Sequence, residues 1–154
     1  MDSSRKITVK LKNQLCFPLY AASREVIKLY KPYLDAMDLT YTQYIAMVLL
    51  WENNTMTVKE IGEPLFLDSG TLTPLLKKLE SKGYITRVRS TKDERNLNVT
   101  ITPKGMALRE TAEQGALVLD QNNRNPLTHE ETLTLYRLLY KMLGNDAPDL
   151  PDWA

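Results

Sequence analysis

The stretch from Leu67 to Lys82 does most to limit what this chain can fold into, because its two faces demand different partners. At 100° per residue, Leu72, Leu75, Leu76 and Leu79 fall within an arc of roughly 100° that needs a core. Ser69, Gly70, Thr71, Thr73, Pro74, Lys77 and Lys78 sweep the rest, with hydroxyls, ammonium groups and almost no carboxylate. A major groove accepts such a face, since hydroxyls reach base edges or phosphates and lysines neutralise phosphates. Taken alone, the pattern also describes an ordinary amphipathic surface helix. Pro74 lacks an amide donor and crowds the carbonyl four residues back, which is harmless only in a first turn. The regular helix is therefore expected to begin close to Gly70 or Thr71, and to stop at Gly83.

The residues on either side of this stretch change the balance. Tyr84 to Arg89 alternates apolar and polar residues, and Asn96 to Ile101 does so more cleanly, which predicts two strands. Between them Ser90 to Arg95 is entirely polar, the tip of a hairpin. Upstream, Thr57 with Glu60 and Thr40 with Gln43 are capping boxes opening two further helices, the second of them ended by Asn53 and Asn54. Short helices, a polar-faced helix and a hairpin with a basic tip make the element order of a winged helix-turn-helix. Arg87 on the first strand and Arg95 at the tip would extend the basic face, Arg95 into a minor groove and Asp93 holding its guanidinium. From Thr57 to Gly105 nine Lys and Arg face six Asp and Glu, a local +3 on a chain whose formal net charge is only +1. Affinity for nucleic acid has to come from this patch.

The rest of the chain flanks that lobe with helices. Leu15, Leu19, Ala22, Val26 and Leu29 recur at helical spacing, and Pro18 places the regular start near Phe17, with Cys16 at or just before the first turn. Thr102-Pro103 opens a fifth helix to about Asn122. Thr128 with Glu131 opens a last one, with Leu133, Tyr136, Leu139, Tyr140 and Leu143 on its apolar face. With 154 residues, of which 43% are hydrophobic, the chain is expected to form one domain. Its helices at about 11–35 and 103–144 lie outside a lobe at about 40–102, with a flexible tail over 145–154. No apolar run is long enough to span a membrane and the N-terminus lacks a signal-peptide core, so a cytoplasmic location is expected.

Leu67 to Glu80, together with Asp-Glu-Arg-Asn at 93–96, Leu-Thr-Tyr-Thr-Gln-Tyr at 39–44 and Asn-Gln-Leu-Cys-Phe at 13–17, resembles the MarR family. Within it the likeness is to the one-cysteine organic hydroperoxide resistance repressors and their SarZ-like relatives. It is close over about Leu11 to Gly105 and looser beyond. It implies a mainly α fold with a small β-hairpin wing, and a homodimer interlocked by its first and last helices. The dimer would sit on a pseudo-palindromic operator in double-stranded DNA, with recognition helices about 34 Å apart. No cofactor is implied.

Cys16 among Leu15, Phe17 and Leu19 has the surroundings of a small buried hydrophobe. A helix N-terminus, by contrast, favours the thiolate. The resemblance singles out Tyr30 and Tyr41 as residues that reach the reactive thiol from the other subunit, with Tyr20 nearby. It departs at Pro18, where an apolar residue is expected. The mechanism implied is oxidation of Cys16 by an organic peroxide and, with no second cysteine, capture by a low-molecular-weight thiol. An alternative keeps the repressor but makes Cys16 structural and a small aromatic ligand the effector. An enzyme is not expected: there is no resolving cysteine, paired carboxylates or phosphate loop, and one His with one Cys gives no metal site.

Overall fold

Three helices begin on capping boxes that the sequence spells out. In the computed structural model, which describes residues 8–92, 96–121 and 126–146, α1 spans Cys16–Ala36, after a short 3-10 turn over Leu11–Asn13. Helix α2 spans Tyr41–Asn53, β1 Thr55–Thr57 and α3 Val58–Leu65. Helix α4 spans Ser69–Ser81, β2 Ile85–Arg89, β3 Leu97–Ile101, α5 Pro103–Gln121 and α6 His129–Met142. The hydroxyls of Thr40, Thr57 and Thr128 accept from the amides of Gln43, Glu60 and Glu131, and each of those side chains accepts in turn from the cap amide. Cys16 is the first residue of α1, so Pro18 falls at the third position, where a missing amide has no helical partner anyway.

Two expectations are corrected. The sheet has three strands, ordered β1-β3-β2 and antiparallel throughout. Thr55-Met56-Thr57 is too short to show alternation; pairing with β3 makes it a strand, with Thr55 opposite Thr100 and their hydroxyls 3.0 Å apart. The second concerns α4, which starts at Ser69 rather than at Gly70 or Thr71. Asp68 is the cap, its carboxylate accepting from the Thr71 amide at 2.8 Å. Pro74 is thereby displaced into the second turn, opposite the Gly70 carbonyl. An interior proline costs about 3 kcal/mol. Leu72, Leu75, Leu76 and Leu79 are all at most 8% exposed, and at about 2 kcal/mol each they outweigh it.

The chain divides into two units, residues 1–117 and 118–154. In the first, the leucine face of α4 packs into a core with Met47, Leu50, Ile61, Ile85 and Val99. Helix α1 supplies Leu34 and the segment after it Met37 and Leu39, while α5 adds Ala112. The turn from α3 to α4 closes through a left-handed Phe66 (φ 55°) and a bond from the Leu67 amide to the Gly62 carbonyl. A Cβ on Gly62 would lie 2.6 Å from the Leu67 oxygen, so this turn needs glycine. The second unit contains α6, none of whose residues is buried; Leu135, Leu138 and Met142 are exposed along it. No helix among the described residues is long and apolar enough to cross a membrane.

Candidate functional site

The first turns of α4 project the expected polar face. Ser69, Gly70, Thr71, Thr73, Pro74 and Lys77 are all exposed, opposite the buried leucines. Two of the hydroxyls are also used locally: Thr73 donates to the Ser69 carbonyl at 2.8 Å, and Thr71 supports the cap. The Asp68 carboxyl is held below its ordinary pKa by the Thr71 amide first, then by the Thr71 hydroxyl and the Gly70 amide. It stays ionised, fixing the end of the helix that carries the candidate readers. Lys77 and Lys78 have no ion-pair partner among the described residues.

Arg87 is tied to Glu80 of α4. Its Nη2 lies 3.0 Å from Glu80 Oε1, its amide donates to Glu80 Oε2 at 3.0 Å, and its side chain is only 16% exposed. Its Nε is buried and has no hydrogen-bond partner among the described residues. Glu80 thus grips both backbone and side chain of β2, and Arg87 lowers the Glu80 pKa through that bond. The open basic positions on this part of the wing are Arg89 and Lys92, which the motif-based expectation omits. Arg89 shares a strand face with the buried Ile85 and is open only because it ends β2, so alternation does not reveal it; the all-polar tip does mark Lys92. The Glu80–Arg87 pair spans a turn and has no periodic signature. Asp93 and Arg95 lie outside the described residues.

Cys16 is exposed, and its Sγ donates to Gln14 Oε1 at 3.6 Å. Tyr20, one turn on, is 57% exposed with the Arg24 guanidinium 5.2 Å from its ring centroid. Tyr30 and Tyr41 meet edge to face at 5.6 Å. Tyr44 joins them at 5.9 and 6.1 Å, and Trp51 packs on Tyr44 at 6.1 Å. Tyr44 is absent from the expected site residues, although its place three residues after Tyr41 puts it on the same helix face. Burial, and then the neighbouring Tyr30, raises the pKa of both Tyr41 and Tyr44. Their phenols therefore remain protonated donors. The structure brings Tyr30 and Tyr41 together but not to Cys16 of the same chain. Fourteen residues of α1 separate Cys16 from Tyr30, about 21 Å along the axis.

Two concavities flank these groups. One, of about 630 Å³, lies between α3, the start of α4 and the first residues of β3. The other, of about 170 Å³, is lined by Tyr44, Val48, Trp51, Arg109 and Ala112. Among the described residues no cluster of three or more His, Cys, Asp or Glu could hold a metal ion.

The profile of the SarA/Rot transcriptional regulators matches residues 28–111. The organic hydroperoxide resistance transcriptional regulator of Bacillus subtilis is 58% identical over 104 residues, 68% of this chain and 71% of that protein. Among solved structures, reduced AbfR of Staphylococcus epidermidis bound to DNA superposes with a TM-score of 0.73 at 36% identity, covering 87% of this chain and 92% of the other. The overoxidised form of AbfR has also been solved bound to DNA. A mutant of E. coli MarR complexed with operator DNA gives a TM-score of 0.76 at 28% identity, covering 88% of this chain and 99% of the other.

Proposed function

Because the chain belongs to the SarA/Rot family of transcriptional regulators, in its MarR-like, hydroperoxide-responsive branch, we propose that it is a homodimeric, cytoplasmic repressor released from its operator when an organic peroxide oxidises Cys16. Ser69, Gly70, Thr71, Thr73 and Pro74 face base edges and phosphates of one major groove, with Lys77 on the backbone. Asp93 and Arg95 serve the minor groove beside it. Arg87 serves this surface indirectly, by holding β2 to α4. The helices at 11–35 and 103–144 form the subunit interface, and 40–102 reads DNA.

What supports the redox reading most is the place of Cys16 at the exposed start of α1, about 21 Å from the Tyr30–Tyr41 pair of its own chain. Only a second chain can bring such tyrosines to it, with Tyr20 beside it on the same helix. Protonated phenols are the donors a thiolate requires. The thiolate sulfur attacks one oxygen of the peroxide, the O–O bond breaks, and the other oxygen leaves as alkoxide and takes up a proton to become an alcohol. Cys16 is left as a sulfenic acid, oxidised by two electrons, with its charge and its tyrosine bonds gone. A low-molecular-weight thiol then displaces the sulfenic oxygen as water and forms a mixed disulfide. A difference of about 3 to 5 kcal/mol between the two states converts a bound repressor to a released one.

The test is an operator titration on the promoter of the protein's own gene, with and without cumene hydroperoxide. Cys16→Ser is expected to bind as tightly as wild type and to ignore the peroxide. Release of Cys16→Ser by peroxide would end the redox reading. The pocket beside Trp51 favours a second reading, an aromatic effector held by Arg109. At about 170 Å³ it is well below the roughly 300 Å³ of ordinary ligand sites, which leaves the peroxide reading ahead.

A further inference from the structure

Two residues past the end of α1 the chain turns through a left-handed residue, Asp38 (φ 52°), a position that usually belongs to glycine. A helix C-terminus leaves carbonyls without intrahelical partners. Here the carbonyl of Met37, the C-cap of α1, and that of Asp38 just past it are taken by groups at and just beyond the end of α4. Lys82, the C-cap residue of α4, donates from Nζ to the Asp38 carbonyl and pairs with the Asp38 carboxylate at 3.3 Å. Tyr84, in the turn to β2, donates its hydroxyl to the Met37 carbonyl at 3.0 Å and is buried. Lys82 also lies 3.5 Å from Gln43 Oε1, the side chain that closes the capping box of α2. Its ammonium therefore occupies the negative end of the α1 dipole and touches the start of α2 at once. Lys104 holds this joint from the α5 side, donating to the Lys82 carbonyl at 2.8 Å.

The two elements that Lys82 bridges are the ones that carry Tyr30 and Tyr41. Tyr30 lies less than two turns before the end of α1, and Tyr41 is the first residue of α2. The corner that carries the pair is hydrogen-bonded to the C-terminal end of the helix whose N-terminal end carries the candidate DNA readers. We propose that Lys82 and Tyr84 are positioning residues that make α4 move with the α1–α2 corner, so that a change at the tyrosines reorients Ser69 to Lys77. They touch neither DNA nor peroxide. This inference rests on the redox reading above, since the input at the tyrosines is the modified Cys16 of a second chain.

The experiment compares full-length wild type, Lys82→Met, Lys82→Arg and Tyr84→Phe. Each is treated with one equivalent of cumene hydroperoxide plus a low-molecular-weight thiol. Intact mass reports the state of Cys16, and the ratio of operator Kd after and before treatment reports coupling. All four are expected to modify Cys16 equally. The ratio should fall at least about fivefold in Lys82→Met, fall by less in Tyr84→Phe, and recover in Lys82→Arg, which keeps the charge. A loss of stability alone weakens binding before and after treatment together and leaves the ratio at the wild-type value; that result in Lys82→Met overturns the proposal. Should Lys82→Met not fold, the Tyr84→Phe ratio decides, because that variant loses one hydroxyl and keeps the ring. A wild-type ratio near one with Cys16 fully modified would sink the redox reading itself, a different failure from equal, large ratios in wild type and variants.

Discussion

Glu80 is the residue on which the orientation of the wing depends most directly. Its two oxygens accept from the Arg87 amide and guanidinium, and with the carboxylate gone the largely buried Arg87 is left without its partner. Glu80→Gln is expected to lower the melting temperature and weaken operator binding for every sequence alike, checked by thermal unfolding and by titration against two unrelated operators. The pH dependence comes from the same bond. Arg87 depresses the Glu80 pKa and the Thr71 amide depresses that of Asp68. Both carboxylates therefore add stability that is complete above the ordinary carboxylate pKa of about 4. It is lost as pH falls through their lowered folded values. In acid titrations followed by circular dichroism, the stability difference between wild type and Glu80→Gln should shrink as pH falls through that range. Gly62→Ala, with its Cβ set 2.6 Å from the Leu67 oxygen, should cost about 1–3 kcal/mol, read by denaturant unfolding.

At the scale of elements, three capping boxes, the leucine stripe of α4 and the alternation of the two long strands are legible in the sequence because each is local. A cap needs two residues three apart, and a stripe needs only a period. The parts that are not legible depend on residues distant in sequence. Strand β1 exists through its pairing with β3, some 45 positions on. The start of α4 is misplaced when Pro74 is weighed above Asp68, because burial of four leucines outweighs a proline in the second turn. Pro74→Ala restores an amide opposite the Gly70 carbonyl. It is expected to stabilise the lobe by up to about 3 kcal/mol, measured by denaturant unfolding. If the gain is nil, the carbonyl has found another partner. In the candidate site, periodicity alone places Ser69 to Lys77 on an outer face. That Glu80 holds Arg87, and that Tyr44 completes the aromatic cluster, depend on packing between elements.

For the whole molecule, the described residues leave apolar side chains without cover on α1 (Leu15 just before it, Phe17, Val26) and on α6 (Leu135, Leu138, Met142). Such exposure is unusual for a lone chain and suits a subunit interface. Leu138→Lys is therefore expected to shift sedimentation equilibrium toward monomer. Operator affinity should fall with it, because two half-sites are no longer bridged; a dimer that survives unchanged places the interface elsewhere. The separation of Cys16 from Tyr30 by about 21 Å of helix also has a genetic consequence. If every sensing site takes its cysteine from one chain and its tyrosines from the other, damage to the two kinds of residue segregates. A cell carrying one allele with Cys16→Ser and a second with Tyr30→Phe holds mixed dimers in which one site has lost both parts and the other has lost neither. Mixed dimers purified from such a cell should then be released from the operator by peroxide, although neither parental homodimer is.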